Sequence, residues 1–119
     1  MIKLIKFLVM IIIAITTITA QNTDWYTENP DANTFYISNE ADLQGLSELV
    51  NRSPNSVNFN GKTIILNNDI QLMLPHTPIG RVYSFRGVFD GNGNKISNLS
   101  VLSGNNNGLF GYVGANGQI

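Results

Sequence analysis

Hydrophobic and polar positions along the chain change period three times. Behind Lys3 and Lys6, residues 7–15 form an unbroken apolar run that ends in the more polar Thr16, Thr17, Ile18, Thr19 and Ala20. Residues 21–33 are polar apart from Trp25 and Tyr26, include Pro30 and show no apolar period. They predict an irregular leader whose aromatic pair packs onto something downstream. A short extended segment follows at residues 34–37. Leu43, Leu46, Leu49 and Val50 then recur at i, i+3, i+6 and i+7, which places them on one stripe of an amphipathic helix over residues 40–51. Asn39 stands where an N-cap is wanted, and Glu40 and Asp42 favour the positive end of the helix dipole. Asn51 and Pro54 supply the stop, and Gly45 inside the helix costs about 1 kcal/mol relative to alanine.

From Val57 onward the period shortens. Apolar runs at 62–66, 70–74, 82–89, 95–102 and 109–113 predict strands, separated by turns at 67–69, 90–94, 103–108 and 114–117 built from residues that accept positive φ at little cost. Residues 87–96 and 108–119 share an order of glycine, aliphatic, phenylalanine, small-residue turn, polar residue and isoleucine; Gly87 and Gly108 lie 21 residues apart, Ile96 and Ile119 23. A weaker copy runs from Phe59 to Ile64. Such an interval predicts a mainly β fold that begins a right-handed parallel β-helix, a solenoid whose coils stack in parallel register. The alternative is an antiparallel β-sandwich with hairpins at the Asn-Gly corners.

One coil cannot stand alone. Ordering about 20 residues costs on the order of 1 to 2 kcal/mol each, whereas four or five buried aliphatics return about 1.5 to 3 kcal/mol apiece. Neighbouring coils must cover each core and a cap must close each end; the helix at 40–51, with Trp25, is placed to cap the first coil. The domain expectation is a signal peptide at 1–20, a leader and capping helix at 21–56, and coils at 57–119 that stop inside a repeat, as a truncated product would.

Composition narrows the function classes. The chain has 119 residues, no cysteine and one histidine, which removes disulfides, thiolate zinc sites and cysteine nucleophiles. Seven basic and eight acidic residues leave no excess that would favour nucleic acid. The 7–15 run is shorter than the roughly 20 residues that span a bilayer, and Ala20 offers a small residue for cleavage before Gln21. This predicts export to the cell surface or the medium, with membrane contact only through the signal peptide. An uncleaved N-terminal anchor is the alternative.

The run of residues 35–51, then 59–70 with Gly61, Lys62, Thr63 and Ile64, then 85–99 with Gly87, Phe89, Asp90, Gly91 and Gly93, resembles the N-terminal region of bacterial surface proteins that carry GLUG repeats. Gly108, Leu109, Phe110 and Gly111, with Asn116, Gly117, Gln118 and Ile119, look like the opening of one such repeat. The family is similar to adhesins and is also found in immunoglobulin A-specific metallopeptidases. The resemblance implies a scaffold with parallel β-helical regions, any catalytic equipment lying in other domains.

Candidate chemistry is thin. Asp90, Asn92 and Asn94 alternate as at the opening of a calcium loop, but Lys95 stands where glycine is wanted and Val101 where the bidentate glutamate is wanted, so a plain tight turn is expected. Asp90, with Arg81, Arg86 and Lys95, suggests a glycan cleft, yet it is the sole carboxylate after residue 70, and hydrolysis needs two unless Asp69 or the leader supplies one. His76, between Pro75 and Thr77, is expected to be an exposed loop residue. Phe85, Phe89, Phe110 and Tyr112 form either a sugar-stacking stripe or, by alternation, core, with Tyr83 and Tyr112 outward. The sequon-like Asn51 and Asn98 are expected by chance among seventeen asparagines. No catalytic, cofactor or metal residue is assigned. The expectation is a noncatalytic exported segment of a bacterial surface protein that serves adhesion or interaction with an unidentified protein or glycan, without cofactor or nucleic acid; the alternative is the noncatalytic N-terminal region of an exported peptidase or polysaccharide-active enzyme.

Overall fold

The computed structural model describes residues 21–102 and 104–119, so the signal peptide expected at 1–20 lies outside the described residues. Chain order is α1 (Asp24–Thr27), β1 (Thr34–Ile37), α2 (Glu40–Asn51), β2 (Thr63–Leu66), β3 (Ile70–Gln71), β4 (Val88–Asp90) and β5 (Ile96–Ser97). Helix α2 has the bounds that its apolar stripe predicts. Its N-cap Asn39 accepts a hydrogen bond from the Asp42 backbone N–H, and Leu43, Leu46, Leu49 and Val50 are fully buried. Each of these four contributes about 1.5–3 kcal/mol by leaving water.

Gly45 has a packing role that its propensity conceals. A Cβ there would lie 1.9 Å from the Asn22 carbonyl oxygen, so the leader crosses the helix at a point where only glycine lets two backbones approach. The Asn22 N–H donates to the Ala41 carbonyl, and its side chain donates to Asp42, whose other oxygen accepts from Ser38. The leader expected to be irregular contains one helical turn, α1, and places Trp25 and Tyr26 against Phe35 and Phe59.

All strand pairing is parallel. Strands β1, β2 and β4 form one sheet in which Phe35, Ile64 and Phe89 share a row, while β3 and β5 form a second with Ile70 beside Ile96. Isolated parallel bridges continue the pairing at His76–Val101, Ile79–Phe110, Phe85–Val113 and Val88–Gln118. The hydrophobic core is one cluster that joins the α2 leucines to the inward residues of these rows, with Phe59, Phe85 and Phe110 in successive ring contact.

These facts correct the expected fold class. Strands of two to four residues make small sheets of three and two strands, and no closed β-helix coil forms among the described residues. The antiparallel sandwich fails as well, because every pair is parallel. The physical reason lies in the turns: Asn55, Phe59, Asn92, Asn98, Asn106 and Asn116, with Gly61, Gly80, Gly93 and Gly104, take positive φ and break each extended run, and Pro75 and Pro78 have no N–H to give a ladder. Expected strands at 70–74, 82–89 and 95–102 shrink to two or three residues each, and 109–113 keeps only bridges at Phe110 and Val113.

The spacing is corrected too. Thr63 lies beside Val88, 25 residues on, whereas Ile79 lies beside Phe110, 31 residues on. The 21-residue likeness of 87–96 to 108–119 therefore does not mark equivalent positions. Phe89 and Phe110 touch edge to face at 5.3 Å, but Phe110 is the register partner of Ile79.

Candidate functional site

Residues singled out by the sequence do not converge on one site. Asp90 closes an Asx turn, its Oδ1 accepting from the Asn92 N–H at 2.8 Å, and Asn94 turns its amide nitrogen to the Leu66 carbonyl at 2.8 Å. Asp69 accepts from the Lys95 N–H at 2.9 Å. Both carboxylates thus hold backbone amides in successive turns. Among the described residues there is no group of three or more histidines and carboxylates placed to hold a metal ion.

Phe85 and Phe89 are buried and Phe110 is half-buried, whereas Tyr83 and Tyr112 face outward, as alternation predicts. Tyr83 donates to the Ser53 hydroxyl, or accepts from it, at 3.1 Å. Arg86 and Lys62 flank a groove of about 360 Å³ that also includes Asn60, Thr63 and Asn116. The Lys62 ammonium is held by the Ala32 carbonyl at 2.5 Å and lies over the Phe35 ring. A second groove, about 430 Å³, runs between α2 and the loop of Leu74 and Pro75, where Glu48 is paired with Arg52 at 2.8 Å.

His76 reverses its expectation. It is 3% exposed, its backbone N–H donates to the Ser100 carbonyl at 2.7 Å, and its Nε2 lies 3.0 Å from the Leu109 carbonyl oxygen. A carbonyl only accepts, so Nε2 carries the proton and Nδ1 presents a lone pair. Burial pushes the imidazole below its ordinary value of 6.5, against the opposing pull of the Leu109 bond and the Glu40 carboxylate. The flanking prolines suggested an exposed loop; the parallel bridge to Val101 carries that loop inward.

Several side chains also tie distant loops to the body, contacts that the sequence did not announce. Asn51 donates to the Pro78 carbonyl at 2.9 Å while its Oδ1 accepts from the Arg81 N–H at 2.6 Å. It joins the end of α2 to the loop 30 residues away, a role that a sequon-like motif does not announce. Ser47 donates to the Thr77 carbonyl at 2.5 Å, Glu40 accepts from the Met73 and Leu74 N–H groups, and Asn98 donates to the Leu72 carbonyl.

The surface with the clearest binding geometry is the layer of residues 108–119. Ile79 donates to the Leu109 carbonyl and accepts from Gly111; Phe85 donates to the Tyr112 carbonyl and accepts from Gly114. In a parallel bridge this pattern turns the N–H and C=O of the facing residue the other way, so the backbone groups of Phe110 and Val113 point away from Ile79 and Phe85. Neither N–H has a backbone partner among the described residues. Around them Tyr112 is 52% and Ile119 73% exposed, and Val113 is exposed as well. The layer approaches closely because Gly80, at φ +83, and Gly111 face each other: a Cβ on Gly111 would lie 2.7 Å from the Gly80 carbonyl oxygen.

No protein-family model, curated protein or solved structure matches the chain. The likeness to GLUG-repeat proteins thus rests on the residues quoted for it. Among the described residues no helix is long and apolar enough to cross a membrane.

Proposed function

We propose that this chain is a noncatalytic interaction module, exported by a bacterium and displayed at or beyond its surface, that binds an extended polypeptide segment along the edge of residues 108–119. Export draws its support from Lys3, Lys6, the apolar run at 7–15 and Ala20; display at the surface draws its support from the GLUG-like residues. The observation that carries the binding role is the N–H and C=O of Phe110 and Val113, turned away from Ile79 and Phe85 among exposed Tyr112 and Ile119. An extended segment laid there gains backbone hydrogen bonds for affinity and apolar contacts for selectivity, which is how strand addition works.

The test is selection of a phage-displayed random peptide library on the immobilised full chain, followed by titration of the enriched peptides against Val113→Pro. Proline at 113 removes an N–H that the fold does not use, so the module stays folded while binding weakens by up to about tenfold, the value of one neutral hydrogen bond. Enriched peptides indifferent to Val113→Pro, or no enrichment, would sink the proposal. N-terminal sequencing of the secreted protein, with Gln21 expected first, checks the export step.

A further inference from the structure

We infer that His76 is an acid-sensitive latch that holds the 108–119 layer against the body of the molecule when its ring is neutral and releases that layer when the ring takes a second proton. The inference deepens the docking role proposed for the same layer and rests on it for its biological consequence, but its physics stands on His76 alone.

The geometry is that of a bolt between layers. The His76 backbone donates to Ser100 in the neighbouring row, and the ring reaches past it to the Leu109 carbonyl, the first residue of the layer to accept a bond from the body. Ile79 donates to the same Leu109 carbonyl at 2.9 Å. One acceptor thus receives a side-chain and a backbone donor from a stretch of four residues, where the layer meets the rest of the chain.

The other face of the ring makes the latch sensitive. Nδ1 is buried and has no hydrogen-bond partner among the described residues. In the neutral ring this is a weak acceptor left unfilled, which is tolerable. In the imidazolium it becomes a charged N–H enclosed by protein with no acceptor, a costly arrangement. Opening the layer brings both nitrogens to water, so protonation favours the open form.

The charged groups around the ring do not supply the missing acceptor. On α2, Glu40 attracts the imidazolium, but its carboxylate is turned to the Met73 and Leu74 N–H groups. Residues 100–102 and 108–110 are Ser, Val, Leu and Gly, Leu, Phe, with no ionisable side chain. Beyond Ile79 lies Arg81, whose guanidinium sits against Gly104.

The sign follows from linkage. A histidine held below its ordinary value binds fewer protons in the closed form than in the open one, so closure is most stable above about pH 6.5 and weakens as pH falls through that value toward the lower closed-form value. Between the two, closure loses about tenfold in its equilibrium constant for each pH unit.

Two measurements on the full chain test this without any ligand, so their outcome does not depend on the docking proposal. The first is an NMR titration of the His76 ring, expected to show a midpoint below 6.5; a midpoint at or above 6.5 overturns the latch. The second is amide hydrogen exchange, corrected for intrinsic pH dependence, at pH 7.5 and pH 5. Gly111, Tyr112, Gly114 and Gln118 are expected to lose protection at pH 5 while Leu43, Leu46 and Leu49 on α2 keep theirs. His76→Gln retains a donor but does not titrate, and is expected to abolish the pH difference at those four amides. If the wild-type layer stays equally protected at both pH values, or if His76→Gln shows the same loss as wild type, the inference is wrong.

Discussion

At the end of the molecule built by residues 21–51, apolar surface is covered twice. Helix α2 seats four fully buried aliphatics on the sheet rows, and α1 brings Trp25 and Tyr26 over Phe35 and Phe59. At the opposite end, residues 108–119 use their inward backbone groups on the body and leave Tyr112, Val113 and Ile119 exposed. The first end carries a large share of the apolar burial and the second very little. The difference teaches that burial is spread unevenly along the chain: the closed end holds much of the core, whereas the 108–119 layer is joined to the body mainly by backbone hydrogen bonds.

Substitutions can break or sharpen this contrast. The largest effect is expected for Leu46→Ala in the closed end, about 2–5 kcal/mol lost on chemical denaturation, because a buried leucine is removed from a helix pinned against the leader. A loss below 1 kcal/mol would mean that the α2 leucines do not anchor the core as their burial indicates. A smaller effect is expected for Asn51→Ala, which strands the Arg81 N–H and the Pro78 carbonyl at the junction between the two ends. It should cost about 1–3 kcal/mol by the same measurement. The smallest effect is expected for Ile119→Ser in the 108–119 layer, within about 0.5 kcal/mol of wild type, since that side chain is mostly in water. Should Ile119→Ser destabilise the chain as much as Asn51→Ala, that layer would be part of the core after all.

Helix α2 was legible because its stripe, cap and stop agree and all lie within twelve residues or just beside them. The outward tyrosines and inward phenylalanines were legible for a similar reason, since alternation is a local property of extended chain. The repeat interval was not. It was read from the likeness of residues 87–96 to 108–119, but register depends on how much chain each turn consumes, and the turns here differ in length and backbone handedness. A closed coil was expected from turn chemistry, and the same asparagines and glycines are what cut the strands short. His76 was misplaced because Pro75 and Thr77-Pro78 look like a surface loop in isolation; only the pairing with Val101 and the approach of Leu109 bury it.

By itself, then, the sequence determined where the apolar stripes lie, where the helix begins and stops, and how sharply the chain can turn, because these follow from side-chain period and from the φ each residue tolerates. The tertiary structure alone decided which rows stand side by side and which asparagine or histidine reaches across them. Those outcomes come from contacts between residues some 25 to 33 positions apart, where no local preference selects the partner and only the joint packing of the whole core does.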